Sequence, residues 1–213
     1  MDSGPRSVKI GENERSGWSS ERPRRPGEAE RPPRKVDVGV RGRVLPPSDS
    51  LRYSPGSLLL IACADPVMRD AFAARVIPDA GSLFSRGKVR GLLEGRVDED
   101  VIDEKTDALL DAAAKKRLAE GHTVVIALEG LDPAEREHYV RMAHAHNRPR
   151  HLILVEAGKD RIAEEDRAAM GELRTALDAG ETGQEGFATS LRLGGATVSE
   201  LKRILFAPAP RDD

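Results

Sequence analysis

Apolar positions along this chain fall into two regimes, with the change near residue 57. From there on, compact apolar runs alternate with stretches in which apolar residues recur every three or four positions. Residues 57–64, SLLLIACA, are apolar without a break from Leu58 on, the pattern of a strand covered on both faces. Residues 66–76 read as a helix, and 77–100 as a turn-rich stretch with a short strand at 81–85. A long helix is expected over 99–120, stopped by Gly121. HTVVIAL (122–128) is the second clear strand and RHLILVEA (150–157) the third, with a helix over 133–147 between them. A helix over 162–177, a weaker strand TSLRL and a last helix over 198–205 complete the pattern. Strands separated by helices of this length predict an α/β fold, a parallel sheet flanked by helices in three layers.

The first fifty residues behave differently. They hold 7 of the 14 prolines and few large apolar groups, so ERPRRPGEAERPPRK buries too little surface to offset the entropy of ordering it. The expectation is a disordered Arg/Pro-rich extension over 1–50 and one α/β domain over 51–213. Val36, Val38 and Val40 alternate at period two, which fits either a short edge strand or a linker. Eleven Lys/Arg against eight Asp/Glu make this front mildly basic, while the whole chain has net charge −2. That balance names no partner by itself.

Cys63 is the sole cysteine, which excludes an intramolecular disulfide and a cysteine-rich metal site. The longest apolar run is far shorter than the ~20 residues that cross a bilayer, and the first residues carry no apolar signal core. A soluble, cytoplasmic protein without a membrane partner is expected.

Candidate chemistry centres on the turn after the first strand, since ligands of open parallel sheets gather at the carboxyl ends of the strands. A phosphate-binding turn there reads G-x-x-x-x-G-K-[ST], whose glycines let backbone N–H groups wrap the phosphates. This chain reads Cys63-Ala64-Asp65-Pro66-Val67-Met68-Arg69-Asp70, with no glycine. Arg69 stands at the lysine position and Asp70 where a hydroxyl would hold Mg²⁺. Asp65 followed by Pro66 is a helix start, an N-cap worth about 1 kcal/mol with proline at the first helical position. The carboxylate takes the N–H groups that a phosphate would need and would repel a second anion.

Several segments together resemble the P-loop kinase superfamily, specifically the bacterial polynucleotide kinase domain: SPGSLLLIA, LFSRGKVRGLL, KKRLAEGHTVVIALEGLDPAERE and LRTAL…QEGF, in that order. The resemblance spans 54 to about 205 and implies a P-loop NTPase/kinase-like sandwich. Carried over residue by residue, it puts Gly87 where that family has its acceptor-side Asp and keeps the companion Arg90. It puts Ala127 at the strand-end Asp, Glu129 and Gly130 at the Thr and Asn that follow, and keeps Arg136. The lid segment EAGKDRIAEED retains Arg161. Losing loop, metal ligand, base and lid together removes most of what phosphoryl transfer relies on.

The remaining constellations have plainer readings. His138, His144, His146 and His151 are close in sequence, but a solvated helix end explains their spacing better than a metal site. Asp132, Pro133 and Glu135 read as a cap, a first helical residue and a capping-box partner. The Arg/Pro extension could touch nucleic acid through phosphate charge, yet its glutamates and lone Trp18 favour a linker or a protein-docking segment.

The resulting expectation is a catalytically degenerate P-loop kinase-like protein with an interaction or regulatory role, a protein partner, and no catalytic residue, metal or cofactor. Asp65, Arg69, Asp70, Arg90, Glu129 and Arg136 are the candidates for its vestigial phosphate pocket. The alternative is a polynucleotide 5′-hydroxyl kinase using ATP and Mg²⁺, or an end-binding protein with Arg69, Arg90 and Arg136 as an anion clamp.

Overall fold

The computed structural model describes residues 50–208. The valines of 36–40 and the rest of the extension lie outside the described residues. The fold is α/β. Five parallel strands, β2 (Leu58–Ala62), β3 (Leu83–Ser85), β4 (Val124–Ala127), β5 (Arg150–Val155) and β6 (Thr189–Leu193), form one sheet in the order β3-β4-β2-β5-β6.

Strand β2 lies at the centre because every one of its side chains is buried. Leu58, Leu60 and Ala62 face one apolar cluster while Leu59, Ile61 and Cys63 face the other. Three helices, α3 (Glu99–Ala119), α4 (Pro133–Ala145) and α5 (Asp166–Asp178), close the first face through Leu110, Leu118, Tyr139, Val140, Met170 and Leu173. The short α2 (Arg86–Leu93) joins that side through Val89.

The opposite face is built differently. Helix α1 (Pro66–Val76) covers part of it with Phe72, Ala73 and Val76. The rest is covered by a small second sheet, in which β1 (Ser50–Tyr53) runs parallel to β7 (Arg203–Phe206). This corrects the helix expected over 198–205: helix α6 ends at Glu200, after only Ala196–Glu200, and the chain turns at Leu201 into β7. Arg75 of α1 donates to the carbonyls of Val198 and Leu201, fixing the end of α6 where the chain changes direction.

Two other expectations shift. The stretch 77–100 contains α2, started by Ser85, whose Oγ accepts from Lys88 N at 3.2 Å. The helix expected from residue 162 begins at Asp166, after a 3-10 turn over Lys159–Arg161.

Candidate functional site at the carboxyl edge of the sheet

The connections from the neighbouring strands β2 and β4 leave toward opposite faces, α1 to one and α4 to the other. Such a divergence opens a crevice at the carboxyl ends of the strands, the usual ligand position in this architecture. Here internal contacts occupy it.

Asp65 caps α1 in extended backbone geometry, and its Oδ1 accepts from Met68 N at 3.0 Å. Its other oxygen, Oδ2, lies 2.9 Å from Arg161 Nε, so the 3-10 turn after β5 is tied to the start of α1. Pro66 supplies no N–H. The Asp65 N–H points back to Cys63 Sγ at 3.4 Å. Burial raises the Cys63 thiol above its usual range, which keeps it protonated and a poor nucleophile.

Arg69 is the second closure. Only 4% exposed, it crosses the crevice to the Leu128 carbonyl just beyond β4, and its Nε donates to Asp70 Oδ1 at 2.8 Å. Its charge is therefore balanced within α1, and its Nε and Nη1 groups donate to protein acceptors.

On the β4 side, Asp132 Oδ1 accepts from Ala134 N at 2.9 Å and caps α4. Glu135 does not complete a capping box with Asp132. It reaches the strand-end loop instead, accepting from Glu129 N at 3.0 Å. Burial raises the Glu135 carboxyl, opposed by the backbone N–H groups of Glu129 and Gly130. Glu129 itself is exposed. With Asp65, Pro66, Arg161 and Asp166 it lines a hollow of about 460 Å³. Three carboxylates against one guanidinium make that hollow unfavourable for a polyphosphate.

The structure brings Asp65, Arg69, Asp70 and Glu129 to this edge and directs the other two candidates elsewhere. Arg90 bonds Asp103 at 2.7 Å and also pairs with Glu99, beside an Arg86 that holds Asp103 and Asp107 at 2.8 Å each. These pairs lock α2 onto α3. Arg136, 4% exposed, donates to the Leu131 carbonyl at 2.7 Å and to Glu185 at 3.1 Å, joining α4 to the segment before β6. Gly87 and Ala127 carry no carboxylate and line a different, apolar cleft between α1 and β3.

The histidines go to separate tasks. His138 bonds Asp111 at 2.9 Å, and His144 Nδ1 lies 3.2 Å from Arg150. His151 is buried under Tyr53 between the hydroxyls of Ser57 and Thr189. No group of three or more His, Cys, Asp or Glu among the described residues is arranged to hold a metal ion. Nor is any described helix long and apolar enough to cross a membrane.

The sequence carries no sign of the role of Arg86 and points Glu135 to the wrong partner. The pairing of Arg86 with residues 17 and 21 positions further on leaves no local trace. Glu135 sits at a capping-box spacing that suggested a nearer partner than the one it takes.

No family model matches the sequence, and no curated protein matches it. Among the solved structures similar to it are two bacterial proteins. One is a candidate kinase from Chloroflexus aurantiacus, 11% identical, with a TM-score of 0.38, over 67% of this chain and 89% of that one. The other is the tunicamycin resistance protein of Deinococcus radiodurans, 12% identical, with a TM-score of 0.35, over 68% and 91%.

Proposed function

We propose that this chain is a catalytically silent P-loop kinase-like protein that acts through a protein partner and not by phosphoryl transfer. One observation carries the reading: the groups that would have to receive a triphosphate already hold one another. Asp65 takes the Met68 N–H and the Arg161 guanidinium, Pro66 has no N–H to offer, and Arg69 is bound to Leu128 O and Asp70. A nucleotide would have to break a cap, an ion pair and a buried arginine contact before gaining anything. The segment resemblance in the sequence supports the scaffold assignment, and the missing glycines support the loss of activity.

Isothermal titration of the full chain with ATP and Mg²⁺, and separately with inorganic triphosphate, tests the reading. No binding heat and no shift in thermal midpoint are expected at millimolar ligand. Micromolar binding, or transfer of label from the γ-phosphate to a 5′-hydroxyl oligonucleotide, overturns it. The clamp alternative needs Arg69, Arg90 and Arg136 to face one anion. Each is instead paired with a different carboxylate, Asp70, Asp103 or Glu185, so nothing favours it.

A further inference from the structure

Between α1 and the edge strand β3 lies a cleft of about 450 Å³, separate from the carboxylate-lined hollow. It exists because α1 packs over Leu59, Ile61 and Val125 and does not extend across β3, where Leu83 stays only partly buried. Its lining is mostly short and apolar, with Ala73 and Ala74 of α1, Ile77 just after it, Leu83 and Gly87. A volume of this size, apolar with a few placed polar groups, is typical of small-molecule sites.

The polar groups have unequal jobs. Ser85 is 5% exposed; its Oγ accepts from Lys88 N, and its O–H donates to no acceptor among the described residues. Lys88 folds back so that Nζ donates to the carbonyls of Leu83 at 3.0 Å and Ala80 at 3.4 Å. An ammonium has three N–H groups, so one is left for a ligand. The site thus offers two donors and a positive charge above an apolar floor. Asp70, at the rim, is already balanced by Arg69. The one ammonium of Lys88 balances a single negative charge, which favours a monoanionic headgroup over a dianionic one.

The geometry points to this cleft as a binding site for a small apolar monocarboxylate, its carboxylate on Lys88 and Ser85 and its hydrocarbon body between α1 and β3. The cleft shares no lining residue with the hollow beside Asp65 and Arg161, so the inference stands apart from the question of nucleotide binding.

Calorimetric titration of the full chain with octanoate, octylamine and octyl phosphate tests it. Octanoate is expected to bind, octyl phosphate more weakly and octylamine not at all. Lys88→Ala should weaken octanoate about tenfold, the loss of one charge-assisted contact. Ala74→Phe, at an exposed position of α1, should fill the cleft and abolish binding with the thermal midpoint unchanged. Gly87→Leu serves the same purpose from α2, where an added Cβ meets nothing within 4 Å. Absence of octanoate binding overturns the proposal. So does octylamine binding as tightly as octanoate, or octanoate binding that survives both filling variants.

Discussion

At Asp65 one carboxylate serves as a helix cap and as half of an ion pair, and the two roles differ in weight. The cap satisfies a backbone N–H that would otherwise be orphaned, whereas Arg161 is half exposed and its pairing is screened by water. Asp65→Ala should therefore cost about 1–2 kcal/mol of stability, mostly from the cap. Arg161→Ala should cost under about 1 kcal/mol, both read from urea midpoints. The helix start was legible in the sequence because capping is local, a matter of Asp followed by Pro. The Arg161 contact was not, because it joins residues ninety-six positions apart and depends on where β5 ends.

His151 makes the second argument at this scale. Burial holds its pKa down to about 4 from the usual 6.5, and the charge of Arg150 adds to the effect. Its folded pKa lies below its unfolded one, so the unfolded chain binds the extra proton first. Stability is full above about pH 6.5 and falls as pH drops toward 4, by about 3 kcal/mol in total. His151→Gln should flatten that limb in urea unfolding measured between pH 4 and 7. An unchanged slope would assign the limb to other groups.

Elements were readable where burial is continuous and unreadable where a distant partner decides. The runs around β2, β4 and β5 are apolar because both faces of the sheet are covered, and that pattern is local. Helix α2, RGKVRGLL, contains two glycines and little apolar periodicity, and its arginines hold it onto α3 through Asp103, Asp107 and Glu99. The terminal segment failed for another reason: a short apolar run such as RILF fits strand or helix equally well, and the choice falls to β1, its pairing partner. The turn between β1 and β2 shows how tightly these elements are set. Gly56 has φ +74°, and a Cβ there would lie 2.6 Å from the Gly121 carbonyl oxygen, backbone against backbone. Gly56→Ala should cost about 2 kcal/mol or more in chemical denaturation, since neither the conformation nor the contact can relax cheaply. Gly87→Ala, with open space around its Cβ and helical backbone, should be neutral or slightly stabilising in the same assay.

Across the described domain, its first and last strands, β1 and β7, pair with each other, and that pairing controls the environment of His151. Residues 50–53 and 203–206 pair in register, and the ribbon they form lies on the sheet face. Ile204 is fully buried beneath it. Tyr53, held in the ribbon beside Phe206 at a ring distance of 6.0 Å, stacks on His151 at 4.3 Å and shields it from water. A two-stranded sheet has little stability of its own, so the lid over His151 is only as firm as the anchorage of β7. Ile204→Ala should cost about 3 kcal/mol and loosen β7, and with it β1. Water would then reach the imidazole, and its pKa should climb from about 4 back toward 6.5. The acid limb of the stability curve should shrink in step, because the difference between folded and unfolded proton affinity is what generates it. An NMR titration of the His151 ring in Ile204→Ala measures this directly. A pKa still near 4 in a destabilised but folded variant would mean that the sheet, and not the ribbon, keeps this histidine dry.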